Sequence, residues 1–168
     1  MNKSCYFHSI LTSTVNKGGS TIIKISVLII IGLIMIGMFI FEPFHLEPPT
    51  PNVTIGDGDI PTTQGSYCWK GILSAQCKDM AYTSLFDMAS THKPTVVSSN
   101  EKIKIEFKKA PIAGTMKVEQ WVDEDNIQKV EVKNGLIVVP KEKGVYAYHV
   151  IANWEQGDGN YAFSIEVK

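Results

Sequence analysis

The side chains able to do chemistry in this chain are few, and each suggests one reaction class. Cys68 and Cys77 could form a disulfide, hold a metal or act as a redox dithiol. A bond between them closes a ten-residue loop and would contribute about 2–3 kcal/mol. Metal binding needs more ligands than two thiolates, and His92 is the nearest histidine on the C-terminal side. Redox dithiols favour Cys-x-x-Cys spacing, which is absent here. The spacing therefore predicts a structural disulfide. The third cysteine, Cys5, lies apart from this pair and is expected to be a free thiol.

His92 and His149 are the histidines of the C-terminal part available as a general base. No Gly-x-Ser-x-Gly element accompanies them. His149 alternates with Ala147 and Ile151, the pattern of a group standing on one face of a strand. Asp57 with Asp59, and Asp123-Glu124-Asp125, are the carboxylate clusters. A glycosidase needs its carboxylates across a sugar cleft, for which a small β-domain has little room. Both clusters read as solvated turns. As calcium ligands they lack the EF-hand pattern, because Cys68 occupies the twelfth position from Asp57. No cofactor or metal site is expected, and the chain reads as a non-enzyme. Among the aromatics, Tyr67, Trp69 and Trp154 are the candidates for binding a partner, since they adjoin the cysteine loop or the last hairpin.

These groups must be positioned outside a membrane. Ile25 to Phe41 is seventeen residues without a charge, interrupted only by Ser26, Gly32 and Gly37 among large apolar side chains. Extended back to Ile22, the run is long enough to cross a bilayer. Lys3, Lys17 and Lys24 precede it, and Glu42 is the first charge after it. Positive charge stays inside, so residues 1–21 form a cytoplasmic tail and 22–41 a signal-anchor helix in the lipid bilayer. A cleaved signal peptide would need a shorter apolar run and small residues at its end. Met38-Phe39-Ile40-Phe41 are too bulky. A lipid anchor would need a cysteine after the run, and a buried core helix would need a polar face.

Residues 42–52 hold four prolines and read as an extended stalk. Asn52-Val53-Thr54 is a glycosylation sequon, relevant only in a eukaryote. Residues 53–92 form a disulfide-pinned extension with short extended pieces at 53–55 and 66–69. A short helix follows over 79–90, with Asp79 as its cap. From Lys93 the pattern has period two. Ile103, Ile105 and Phe107 alternate with Lys102, Lys104, Glu106 and Lys108. Further strands are expected at 95–97, 116–122, 127–132, 136–139, 145–153 and 161–167. Turns are expected at 123–126, Asn134-Gly135 and 156–160. The fold class is mainly β, with one N-terminal transmembrane helix and a seven-stranded sandwich over 93–168.

Residues 42–168 carry 13 Lys against 17 Asp and Glu, and the chain has no Arg. That acidic balance excludes general nucleic-acid binding, and no guanidinium is present to grip phosphate bidentately.

Glu142-x-Gly144-x-Tyr146-x-Tyr148 resembles the approach to strand F of immunoglobulin-like domains. The resemblance places Tyr146 as the tyrosine whose hydroxyl folds back on the preceding corner. Trp121 takes the position of the core tryptophan of strand C. Ile105 or Phe107 and Tyr148 stand where antibody domains have cysteines. More loosely, the chain resembles membrane-anchored extracytoplasmic proteins of low-GC Gram-positive bacteria. That resemblance rests on Gly65-Ser66-Tyr67-Cys68-Trp69, Lys93-Pro94-Thr95-Val96-Val97 and Tyr161-Ala162-Phe163-Ser164-Ile165-Glu166-Val167. It implies a location and a fold and supplies no site. The expected function is a non-enzymatic binding or structural module at the outer membrane face, with an envelope protein or cell-wall component as partner. The alternatives are an inhibitor or modulator of an extracytoplasmic protease that presents the Cys68–Cys77 loop, and a calcium-binding surface domain.

Overall fold

The computed structural model describes residues 17–41, 46–71, 74–123 and 126–168. Residues 1–16 of the expected 1–21 tail, the first stalk residues 42–45 and the acidic turn residues Glu124 and Asp125 lie outside the described residues; residues 17–21 of that tail belong to the N-terminal helix. The chain forms two compact units, one holding the N-terminal helix and the other the sheets.

Helix α1 runs Lys17–Phe41. Its side chains are described over 22–37, and the large apolar ones there are exposed on every face of the helix. That stretch is about 24 Å long at 1.5 Å per residue. Among the described residues, no helix is long and apolar enough to cross a membrane.

The second unit is mainly β. In chain order its elements are β1 (Pro51–Ile55), β2 (Gly58–Asp59), β3 (Thr63–Gln64), β4 (Tyr67–Lys70), β5 (Ala75–Lys78), α2 (Leu85–Ala89) and β6 (Thr95–Val97). There follow β7 (Lys102–Phe107), β8 (Lys117–Trp121), β9 (Ile127–Val130), β10 (Leu136–Val138), β11 (Gly144–Trp154) and β12 (Gly157–Val167). Four strands form a sheet in the order β10-β7-β1-β2. The larger sheet runs β5-β4-β12-β11-β8-β9, with β3 and β6 also paired to β12. β11 lines one side of β12 over its whole length. The other side is shared by β4, β3 and, in parallel, β6.

Period two explains the core. On β11, Tyr146, Tyr148, Val150, Ala152 and Trp154 are buried, and on β12 Tyr161, Phe163, Ile165 and Val167. They meet Val53, Ile103, Ile105, Phe107 and Ile137 of the smaller sheet in one cluster. Tyr148 stacks on Phe163 at 5.0 Å, and Trp154 meets Phe107 edge-on at 5.1 Å. The buried hydroxyls find acceptors: Tyr148 donates to Gln120 Oε1 at 3.0 Å and Tyr161 to the Pro49 carbonyl at 2.7 Å. Tyr146 donates to the Glu142 carbonyl at 2.9 Å, the fold-back expected of that tyrosine.

Several boundaries differ from those read in the sequence. β1, from the expected extension, pairs with β7, from the expected sandwich, so the chain has no structural break at residue 93. The stalk ends earlier than residue 52. Pro48 and Pro51 are buried, Pro51 opens β1, and Tyr161 holds the Pro49 carbonyl. Proline fits the first residue of a strand. The expected helix over 79–90 is only Leu85–Ala89. Its cap is Ser84, whose hydroxyl accepts from the Asp87 N–H, while Asp79 accepts from Ser66.

Of the expected turn over 156–160, Gln156 does lie in a turn, and Gly157 to Asn160 are instead the start of β12. Gly157 has φ +153°, and a Cβ there would strike the Cys68 carbonyl of the neighbouring strand. Its glycine is needed for close strand approach. At Asn134-Gly135 both residues take positive φ, as the dipeptide predicts. The turn carries the chain from β9 in one sheet to β10 in the other.

Candidate functional site

The three aromatic residues expected to bind a partner lie in the core. Tyr67, Trp69 and Trp154 are 3%, 6% and 5% exposed. Trp69 packs edge-on to Trp154 at 5.5 Å. Trp154 Nε1–H donates to the Lys109 carbonyl at 2.9 Å, and Tyr67 donates to Glu47 Oε1 at 3.2 Å. β4 alternates buried and exposed residues, and Tyr67 and Trp69 fall on its inward side. The Cys68–Cys77 disulfide forms as expected, between directly opposed residues of β4 and β5. Every residue of β5 is exposed.

One site with room for a ligand lies on the other side of the larger sheet. There β11 and β12 turn out Ala147, His149, Asn160, Ala162 and Ser164, and β8 turns out Glu119 and Trp121. The small side chains let α2 approach closely: Leu85, Met88 and Ala89 pack on Ala147 and Ala162. Five residues are too few for a stable helix alone, since isolated helices below about 12 residues are marginal. Its serines and threonines hold it. Thr83 donates through N–H and Oγ1 to Asp87 Oδ2 at 3.0 and 3.1 Å. At the other end the Ser164 hydroxyl donates to the Ala89 carbonyl at 3.2 Å. Trp121 is on this face, edge-on to Phe86 of α2 at 6.4 Å, and so is not the core tryptophan expected from the resemblance. Glu119 and Trp121 share one side of β8, and Val118 faces the core.

A cavity of about 270 Å³ opens between α2 and this face. Met80, Tyr82, Leu85 and Met88 form an apolar wall; Ser66, Trp121, His149 and Asn160 form the sheet side. The sheet-side polar groups are largely committed to one another. His149 Nδ1 lies 3.5 Å from Glu119 Oε2, and its Nε2 lies 3.4 Å from Asn160 Oδ1. Asn160 Nδ2–H donates to the Ser66 carbonyl at 2.5 Å. The Ser66 hydroxyl gives its proton to Asp79 Oδ1 at 2.8 Å and accepts from the Met80 N–H at 2.9 Å. That hydroxyl is therefore not bonded to His149. Gly65 completes the clamp, because a Cβ there would collide with the Asn160 side chain. Trp121 Nε1–H has no acceptor and no appreciable accessible surface, and Thr63 Oγ1, Gln64 Nε2 and Gln156 Oε1 are likewise buried without a partner.

Asp57 and Asp59 sit exposed at the β1–β2 hairpin. Among the described residues, no three His, Cys, Asp or Glu side chains converge on a possible metal ion.

By pattern alone His149 is a strand-face residue, Trp121 resembles a core tryptophan and Asn160 falls in a turn. A signal was present. Ala147, Ala162 and Ser164 are small residues at period two among strands otherwise built from bulk, which marks a face awaiting a cover. Compared with protein-family models, curated proteins and solved structures, the chain matches none.

Proposed function

We propose that this protein is a non-enzymatic, membrane-anchored extracytoplasmic binding module that receives its ligand in the cavity beside α2. One observation carries the binding reading. The stretch around α2 covers the outer sheet face yet leaves an open cavity beside the helix. A purely structural cover would be expected to close that space. The apolar run with lysines before it and acids after it supports an N-in anchor, with the sheets outside the cell. An exposed disulfide suits that compartment. The resemblance to envelope proteins of low-GC Gram-positive bacteria agrees with this location, and the partner sought is an envelope protein or cell-wall component.

An immunoglobulin-like assignment is supported by strand order. β12-β11-β8 follows G-F-C, and β10-β7-β1 follows E-B-A. The Tyr146 hydroxyl on the Glu142 carbonyl supports it too. The test is capture from the envelope with the full chain. A stoichiometric partner retained by the native protein and lost with Trp121→Ala is expected. Equal retention by the variant contradicts the cavity as the binding site.

A second reading is favoured by the β4–β5 hairpin. Its exposed outer strand and cross-strand disulfide make a pre-organised loop, as a protease inhibitor would present. Unslowed cleavage by envelope proteases in the presence of the protein would remove it.

A further inference from the structure

We infer that the cavity beside α2 binds one soft monovalent metal ion, of the chemistry of Cu(I), through His149 Nε2 and the thioethers of Met80 and Met88. The inference rests on reading this cavity as a binding site and specifies what it takes. The imidazole comes first. His149 stands between two acceptors, with Glu119 Oε2 3.5 Å from Nδ1 and Asn160 Oδ1 3.4 Å from Nε2. A neutral imidazole has a single N–H to give. The carboxylate is the stronger acceptor and takes it at Nδ1. Nε2 then turns a lone pair toward an amide oxygen, and neither atom can donate. The amide cannot flip to offer its nitrogen, because Asn160 Nδ2–H is held by the Ser66 carbonyl at 2.5 Å. A proton or a metal ion beside Nε2 relieves that opposition.

The neighbouring donors favour the metal ion and decide its class. Met80 and Met88 line the same cavity as His149 and Asn160. A Cβ at Gly65 would collide with Asn160 Oδ1 and press on the Met88 methyl at 3.0 Å, so the end of Met88 lies beside the oxygen that faces Nε2. Met80 is tied to the same cluster. Its N–H donates to Ser66 Oγ, and the Ser66 carbonyl accepts from Asn160. Two thioethers, and an imidazole whose far nitrogen rests on a carboxylate, make a soft donor set with an oriented ring. Thioethers select Cu(I) among the common ions. Magnesium and calcium ask for several carboxylate or carbonyl oxygens, and zinc for thiolates, imidazoles or carboxylates. Among the described residues that line the cavity, none is Asp, Glu or Cys, and His149 is the one imidazole.

The test uses the full chain in detergent micelles with Cys5→Ser, which removes the thiol expected to be free. Cys68 and Cys77 are spent in their disulfide. Ag(I) serves as the redox-inert stand-in for Cu(I), and isotope-labelled methionine methyls are read by NMR. One equivalent of Ag(I) should move the Met80 and Met88 signals and leave those of Met35, Met38 and Met116 in place. Met88→Leu keeps the volume and removes the sulfur, so it should weaken Ag(I) binding at least about tenfold, and Met80→Leu likewise. Glu119 is a positioning residue. Glu119→Gln should cost about tenfold in affinity, as loss of a group that orients a metal-bound imidazole does, with the melting temperature unchanged. Excess zinc should not displace Ag(I). Unweakened binding by both leucine variants, methyl shifts shared with Met35, Met38 and Met116, or displacement by zinc would overturn the inference. If Ag(I) is inert while Trp121→Ala still abolishes partner capture, the metal site falls and the binding-module reading stands. If Ag(I) binds as predicted while capture is untouched by Trp121→Ala, the metal site stands and the partner is held elsewhere.

Discussion

The two faces of the larger sheet are made by the same strands and are filled in opposite ways. The inner face of β11 and β12 uses bulk: Tyr148, Trp154, Tyr161 and Phe163 interlock with the smaller sheet. The hydroxyls of its two fully buried tyrosines are satisfied. The outer face uses Ala147, Ala162 and Ser164, and is covered by a five-residue helix held by caps. There the packing leaves a cavity. Close packing on the inner side stabilises the fold. Incomplete packing on the outer side, in a segment inserted between two strands, leaves space that stability alone does not require.

The comparison can be broken most directly from the inside. Phe163→Ala removes a stacked, fully buried ring and should cost about 3–5 kcal/mol, read as a lower urea midpoint. If it costs no more than an outer-face truncation, the two faces do not differ as described.

Alkaline pH probes the same inner face without mutation. Burial raises the Tyr148 and Tyr161 phenols above their ordinary value of 10.0, with Tyr146 adding to the first and Tyr67 to the second. A group raised in the native state lends its stability below the unfolded value, and that stability is lost as pH rises toward the native one. The melting temperature should therefore hold up to about pH 9–10 and fall above it. A melting temperature unchanged well above that range would contradict the burial of these phenols.

The outer face should give smaller effects. Leu85→Ala borders existing space and should cost about 2 kcal/mol, the low end for such truncations. Ser84→Ala removes the cap of α2 and should cost about 1 kcal/mol. Its effect should concentrate in hydrogen exchange of residues 84–90, leaving β11 and β12 protected. Loss of protection throughout the sheet would show that α2 belongs to the core.

What could be read from the sequence divides along the same line. Ile103, Ile105 and Phe107 declare a strand because alternation is local, and Asn134-Gly135 declares its turn through positive φ. Cys68 and Cys77 declare their bond because each serves the other. Pairing of β1 with β7 links residues about fifty positions apart, and no local pattern carries that. Nor does local pattern reveal that Gly157 is there for the backbone of β4. The site was hidden for a similar reason. Trp121 looks like a core residue until register with Ala147 places it outside. Tyr67, Trp69 and Trp154 look like surface anchors until β4 is seen pairing at the end of β12.

The central claim is that the outer face beside α2 is where this protein meets its partner. A photo-crosslinking amino acid at Tyr82 in the full chain, irradiated in intact envelope, tests it against the same label at Val138. Val138 is exposed on the smaller sheet, away from the cavity. The account predicts a discrete adduct from position 82 and none from position 138. The same adducts from both positions, or an adduct from 138 alone, would contradict it.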